Sequence, residues 1–339
     1  MTEKKIISSG STLIDLILGG GYESGTIVNL IAESGAGKSY LAAEMIGTSY
    51  IKYKKDFAWR YLDKENGFKF NTKKLYGVDI IDNTKAIPGT VEEMACDFAI
   101  ELEALKKVKF FIYVADSYDA LSSNAEKQRD RERNKAYVKG NDLETPTYAM
   151  EKAKFSSEFF RLRTSDIEDK NCLFVIISQK RSKVGATFGR KWKRSGGDAL
   201  DYYCGSILEL TRCEDLKKTV QGETRSYGYV LKARALKSRN EHPYRECYIN
   251  ILYTYGLDDI SSNIDYLYSF KTEGGKTRPI TKQKIPKSDW IEKDTGEFSK
   301  AEFISFIEEK GLEEELAKRV KEKWDMIDEA IIPVRKRKF

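Results

Sequence analysis

Eight consecutive residues, Ala32-Glu33-Ser34-Gly35-Ala36-Gly37-Lys38-Ser39, have the composition that wraps a phosphate. Gly35 and Gly37 let the backbone curl so that its N–H groups point inward at phosphate oxygens. Lys38 would set its ammonium on the β- and γ-phosphates of a nucleotide, and Ser39 would offer a hydroxyl to Mg2+. Glu33, Ser34, Ala36 and Tyr40 complete the expected nucleotide-binding stretch, and Ala32 stands where the motif usually has glycine. Three further side chains could make the site hydrolytic. Asp116 would hold the metal together with Ser39; Glu65 could orient water against the γ-phosphate as a general base. Gln179 has an uncharged head that can touch the γ-phosphate and report its presence. Taken alone, Asp116 also reads as the cap of a turn and Glu65 as a solvated loop residue. His242 is the only histidine, which nearly excludes His-based triads and multi-His metal sites. Cys96, Cys172, Cys204, Cys213 and Cys247 are scattered without a C-x-x-C pair, which argues against a disulfide framework and a zinc site. Chemistry here falls to carboxylates, lysines, arginines and a bound metal.

These groups need elements to hold them. The apolar run Ile27–Ile31 predicts a strand ahead of the phosphate loop, and Ser39–Ile46 a helix after it, the order such a loop requires. Phe57–Asp63 reads as an aromatic-rich strand leading to Glu65. Phe110–Asp116 and Leu173–Gln179 read as strands buried in a parallel sheet. Helices are expected around Leu13–Leu18, Thr90–Lys106 and Tyr148–Arg163. Buried strands alternating with helices mark a doubly wound α/β fold, in which strand ends converge on one crevice. From Ser206 the pattern changes to strands at Ile207–Arg212, Tyr227–Leu236 and Cys247–Tyr255, an antiparallel extension of the sheet. Residues 271–288 read as a linker or exposed loop. Ser299 and Glu302 form a capping box opening a helix that Gly311 ends, and a second helix runs from Leu312 to about Ile327. The expected fold class is α/β, a mostly parallel central sheet with an antiparallel extension plus a small C-terminal helical unit. The expected division is 1–270 for the core and 271–339 for a basic linker with that unit.

Over 339 residues, 40 % are hydrophobic and 33 % charged, the balance of a soluble globular chain. A net charge of +6 permits a polyanionic partner without demanding one. No signal peptide opens the sequence and no apolar run reaches membrane-spanning length, so a cytoplasmic setting is expected. The segment Gln179–Gly197 clusters Lys180, Arg181, Lys183, Arg190, Lys191, Lys193 and Arg194 around Phe188 and Trp192, with Gly185, Gly189, Gly196 and Gly197 between them. Basic residues track phosphates by counterion release, and aromatics stack on bases without reading sequence. Lys183, Phe188, Arg190, Lys191, Trp192, Lys193, Arg194, Gly196 and Gly197 are therefore candidate DNA contacts. The stretch Glu126–Asp142 mixes both signs and reads as a solvated helix face. Basic Lys271–Lys287 and the Arg335–Lys338 tail could collect DNA or simply aid solubility.

Taken together, several short motifs resemble the RecA/UvsX family of DNA recombinases. They are Ile7-Ser-Ser-Gly-Ser with Leu-Gly-Gly-Gly21, the phosphate loop, and Leu-Asp-Lys-Glu65-Asn-Gly67. Further along come Tyr-Gly-Val-Asp79, Val-Ala-Asp116-Ser117 and Ile-Ile-Ser-Gln179. Lys183–Gly189 with Ser195–Leu200 is similar to the family's second DNA-binding loop. Leu236-Lys237-Ser238-Arg239 with Pro243 is similar to its segment that reaches a neighbour's nucleotide. The resemblance runs from residue 7 to about 260 and implies a RecA-like P-loop ATPase using ATP and Mg2+. It implies Glu65 as the base that positions water, Asp116 as the Walker B acid and Gln179 as the link from γ-phosphate to DNA loop. Lys237 and Arg239 would act across a subunit interface, making Glu65, Lys38, Gln179, Lys237 and Arg239 the catalytic set. The implied function is a homo-oligomeric, filament-forming recombinase of bacterial or phage-infected cytoplasm. It would bind single-stranded DNA, pair it with homologous duplex DNA in recombination and repair, and work with a single-strand-binding or mediator protein. A strand-annealing or loading protein on the same core is the alternative, and a hexameric helicase motor a further one. Family members carry an N-terminal helical segment before the Ile-Ser-x-Gly-Ser motif, whereas only Met1–Lys5 precede Ile6 here. The expectation is that another segment builds the subunit contact, or that the assembly differs.

Overall fold

The computed structural model describes residues 4–105, 108–139, 149–182, 192–194, 199–268, 270–273, 276–279, 284–331, 333 and 335. Four near-continuous apolar runs form parallel strands: β1 (Thr26–Ala32), β2 (Phe57–Asp63), β3 (Phe110–Asp116) and β4 (Cys172–Gln179). Every residue of β1 and β3 is buried, and in β4 only Gln179 is partly open. Strands covered on both faces need no polar alternation, which is why they read as unbroken apolar runs. The sheet continues through β5 (Cys204–Val220), β6 (Glu223–Lys237), β7 (Glu246–Leu252) and β8 (Gly256–Asp258). Its order is β8-β7-β6-β5-β1-β4-β3-β2. β5 is still parallel to β1, and the pairs from β5 to β8 are antiparallel. The expected sheet, mostly parallel with an antiparallel extension, is the one observed.

Alternate residues of each strand feed opposite cores. Val28, Leu30 and Ala32 join one cluster with α1 (Thr12–Ile17) and α2 (Lys38–Tyr53). Ile27 and Ile31 join the other, with Phe111, Tyr113 and Phe174. Helices α3 (Val91–Ala104) and α5 (Ala149–Asp169) cover that second face through Phe98, Phe159, Phe160 and Ile167. Phe98 meets Phe174 edge-on at 4.9 Å, a geometry worth about 0.5–1.5 kcal/mol beyond the area buried. Helix α4 (Asn124–Val138) opens on a capping box between Ser123 and Glu126 and buries no residue, as its mixed charges suggest.

Beyond the Leu216–Gly228 pair, where β7 no longer pairs with β6, the β5–β6 hairpin extends alone, and most of its residues there are exposed. Gln221 and Gly222 turn it with φ of 51° and 82°, the positive pair that matches strand twist. A third cluster unites Ile264 of α6 (Asp259–Tyr268) with Ile285, Phe298, Phe303, Ile307 and Leu316. Helix α7 (Lys300–Lys310) opens on the Ser299–Glu302 capping box and ends at Gly311, with φ of 63°. Helix α8 (Glu313–Ile331) sends Leu316 into this third cluster and Val320 into the first. At the stretch read as linker or loop, 271–288, residues 270–273 pair with 276–279, and 284–286 pair with 297–299 beyond it. The last two strands bury only Ile285 and Phe298, and three residues are too short a run for alternation to show in sequence. Among the described residues, no helix is long and apolar enough to cross a membrane.

Candidate active site

The phosphate loop joins the end of β1 to the start of α2, so its amides meet the positive end of a helix. Gly35 and Gly37 have φ of 72° and 86°, the left-handed region that glycine enters freely. Glu33, Ser34 and Gly35 are exposed, Ala36 is buried, and Gly37, Ser39 and Tyr40 are half-buried. A Cβ on Gly37 would lie 2.8 Å from the Tyr229 hydroxyl of β6, so the sheet extension walls the loop. Lys38 is only 7 % exposed, and its Nζ donates to the carbonyls of Glu33 (2.8 Å) and Ala32 (3.3 Å). Burial lowers its pKa, against the nearby charges of Asp116, Glu65 and Asp119. Among the described residues no carboxylate forms an ion pair with it. A buried ammonium with carboxylates near it but none in direct contact is costly, and an entering phosphate would supply the direct partner.

Asp116 ends β3 directly beside Asp63 at the end of β2. One oxygen, Oδ2, accepts from Ser39 Oγ and from Tyr61 OH, both at 2.6 Å. Burial raises the pKa of Asp116, the two hydroxyls lower it, and the charges of Asp63 and Glu65 raise it further. A divalent cation beside Ser39 and Asp116 would relieve this crowding, so the donors fit the group they were expected to hold. The described residues contain no cluster of three His, Cys, Asp or Glu arranged for a metal. Mg2+ there would draw its remaining ligands from water and phosphate, as that ion commonly does.

Glu65 is exposed just past β2, and its Oε1 accepts from Ser117 Oγ at 2.5 Å and from Gln179 Nε2 at 3.0 Å. Gln179 is fixed in turn by its own N–H, which donates to Asp119 Oδ2 at 2.6 Å. Beyond it, Lys180 N–H donates to Ala32 O, and Lys180 Nζ pairs with Glu209 at 2.8 Å and lies 5.6 Å over the Trp192 ring. Arg181 and Ser182 then pair with Trp192 and Lys193 as a short antiparallel ladder. Lys38, Ser39, Glu65, Asp116 and Gln179 thus gather at the ends of three adjacent parallel strands, β1, β4 and β3, and just past β2.

Lys237 and Arg239 do not join them. Lys237 stands level with Ile207, which pairs with Asn29 in the middle of β1, and the chain then runs away from the loop. Lys237 Nζ donates to the carbonyls of Asp201 (2.8 Å) and Tyr202 (3.0 Å), and Arg239 is exposed. Of the expected DNA contacts, Trp192 is half-buried and Arg194 is 9 % exposed, its guanidinium donating to Asp201 at 2.9 Å. Lys193 is described by its backbone alone. Lys183, Phe188, Arg190, Lys191, Gly196 and Gly197 lie outside the described residues.

Sequence reasoning missed Tyr61, Ser117, Asp119 and Tyr229. Only Ser117 carried a usable signal, as the hydroxyl adjoining a strand-ending acid.

Residues 1–258 match the family model described as the RecA N-terminal domain. The chain belongs to the RecA family. Among RecA-family relatives, Protein RecA of Rippkaea orientalis is 28 % identical over 261 residues, 76 % of this chain and 68 % of its own. Protein RecA of Leptospira meyeri is 28 % identical over 268 residues, 78 % of this chain and 63 % of its own. The chain therefore spans about two thirds of the length of these RecA relatives. A crystal structure of the RadB recombinase aligns with 75 % of this chain and 99 % of its own, with a TM-score of 0.48 and 17 % identity.

Proposed function

We propose that this RecA-family chain is a DNA-dependent ATPase that assembles on single-stranded DNA and promotes homologous pairing and strand exchange. The observation that carries this reading is the Gln179–Glu65 hydrogen bond of 3.0 Å. It ties the carboxylate that would take a proton from attacking water to the strand entering the basic, aromatic segment. Nucleotide state and DNA contact then share one side chain.

In this reading Lys38 and the loop amides hold the β- and γ-phosphates. Glu65 orients water and accepts its proton as the γ-phosphoryl group leaves ADP. Mg2+ bound by Ser39 and Asp116 supplies charge neutralisation on the phosphates. Lys237 and Arg239, remote from their own loop, serve the site of the next subunit. Lys183, Phe188, Arg190, Lys191, Trp192 and Lys193 meet DNA, with Gly196 and Gly197 giving the backbone freedom. A cytoplasmic filament that meets duplex DNA as pairing target completes the proposal. Residues 1–270 form its ATPase core, and 271–339 an appended unit.

ATP turnover measured with and without single-stranded DNA tests it. The rate rises with DNA, Lys38→Ala abolishes it, and Glu65→Gln keeps nucleotide binding while turnover falls by on the order of 10²–10⁴. Turnover indifferent to DNA would sink the proposal. Electron microscopy with ATP and DNA should show long helical filaments, whereas closed rings or dimers would favour a helicase or annealing role.

A further inference from the structure

The segment carrying Lys237 and Arg239 is held from two sides. On one side it lies against the turn after α1. Ser238 Oγ donates to Leu18 O at 3.4 Å, and a Cβ on Gly19 would meet Asn240 O at 2.7 Å. On the other side it returns through Tyr244 and Arg245, whose backbones bond to Ala235 at 2.6 and 2.9 Å. The Arg245 side chain then leaves the sheet and meets α8. Its Nη1 lies 2.6 Å from Asp328 Oδ2, and its guanidinium sits 5.4 Å over the Trp324 ring. The same guanidinium reaches Glu241, in the tip of the segment, at 3.5 Å. Arg245 is therefore shared between the tip and the C-terminal helix.

Helix α8 is itself firmly seated. Val320 is fully buried against the first core, and Trp324 packs 5.9 Å from Tyr266. Lys323 Nζ donates to the final carbonyls of α6 at Tyr266 (3.0 Å) and Leu267 (2.9 Å), which offsets the C-terminal end of that helix's dipole. The arginine's two carboxylate partners thus differ in place: Glu241 belongs to the tip, and Asp328 to a helix packed on the core.

We propose that Asp328 is a positioning residue which, through Arg245, sets where Lys237 and Arg239 stand relative to the neighbouring subunit's nucleotide. This rests on the reading that those two cations act in trans. With Asp328 neutral, Arg245 collapses onto Glu241 and the tip loses its fixed reference. The P-loop of the same chain, at the other end of β1, is untouched.

The test uses full-length chains and single-stranded-DNA-stimulated ATP turnover. Asp328→Ala lowers kcat by on the order of ten- to a hundredfold, the scale of a misplaced catalytic group, with KM for ATP nearly unchanged. Asp328→Glu, which keeps the charge, retains most of the rate. Asp328→Asn, which keeps the volume and loses the charge, behaves as Asp328→Ala does and serves if alanine disturbs folding. The deciding measurement mixes Asp328→Ala chains with Glu65→Gln chains, which lack turnover but present an intact segment. The mixture runs several-fold faster than the mean of its two components.

A parental rate for both Asp328→Ala and Asp328→Asn overturns the proposal. So does a defect that mixing fails to repair while Arg239→Ala, mixed the same way, is repaired; the fault then lies within the altered chain. If the Arg239→Ala mixture also stays inactive, the in-trans reading itself has failed and this proposal falls with it.

Discussion

Replacing Gly37 with alanine tests whether the loop geometry and its wall at Tyr229 matter together. At φ of 86° an alanine carries about 1–2 kcal/mol of left-handed strain. Its Cβ would also stand 2.8 Å from the Tyr229 hydroxyl, well inside contact distance, and overpacking of this kind costs about 1–3 kcal/mol. Nucleotide binding that requires the loop in this shape therefore loses about 2–5 kcal/mol, roughly thirtyfold to several thousandfold in affinity. Tyr229→Phe removes the clashing atom, because the next ring atom, Cζ, is 3.8 Å away, an ordinary contact. The double variant Gly37→Ala/Tyr229→Phe should thus regain the steric part, about 1–3 kcal/mol, and keep only the strain. Titration of a fluorescent ATP analogue into the parent, both single variants and the double variant closes the cycle. A double variant binding no better than Gly37→Ala alone would show that the Tyr229 hydroxyl does not wall the loop.

Other expectations follow from side chains around the sheet. Arg60 is 3 % exposed and holds Asp97 at 3.0 Å and the Ala86 carbonyl at 2.8 Å. Arg60→Met should cost about 3–5 kcal/mol by leaving Asp97 without its cation, read from urea unfolding; a loss below about 1 kcal/mol would remove that pair from the account. Burial pushes Asp15 up from 3.8 to about 7, against hydrogen bonds from Ser8 and Ser9, with Asp259 adding negative charge. The native state then binds more protons than the unfolded chain across that window, so stability from this group is present at the acid end and lost as pH rises through about 7. Glu44, also raised to about 7, acts in the same sense, and Asp15→Asn should flatten the fall without abolishing it. An unaltered slope in unfolding at pH values spanning the window would contradict this. Gln179→Ala removes the contact to Glu65, and the fold-stimulation of ATP turnover by single-stranded DNA should drop towards one; full stimulation would break the proposed link.

Legibility in the sequence tracked how much of each residue's role is local. The phosphate loop was readable because the chemistry demands glycines and a lysine within a few positions. β1, β3 and β4 were readable because strands buried on both faces are apolar at most positions, with the buried polar Asn29 and Ser178 hydrogen-bonded to each other. Tyr61 was not, since a tyrosine in an aromatic-rich strand looks like any core residue until its neighbour is known. Its role at Asp116 arises because β2 and β3 end in register, Asp63 beside Asp116, a fact of pairing rather than of spacing. Asp119 and Tyr229 were hidden for the same reason, each reaching the site from another strand or turn. The outer halves of β5 and β6 escaped because in Cys213–Val220 only Leu216 is even half-buried, so no apolar period marks it as strand. Lys237 and Arg239 came only from family resemblance. Their distance from the chain's own loop is visible in the sheet register and in no motif.

That outer hairpin has a use of its own. Its tip shields no core, so changes in its length leave the packed interior as it is. A Cβ on Gly222 would find no atom within 4 Å, and its neighbour Gln221 is exposed. A fluorophore or affinity tag grafted between them would ride on two hydrogen-bonded strands, giving a rigid reporter roughly 20 Å of ladder beyond Tyr229 at the phosphate loop. Among diverging lineages, the same freedom makes this tip a place where new sequence can be tried without refolding the machine beneath it.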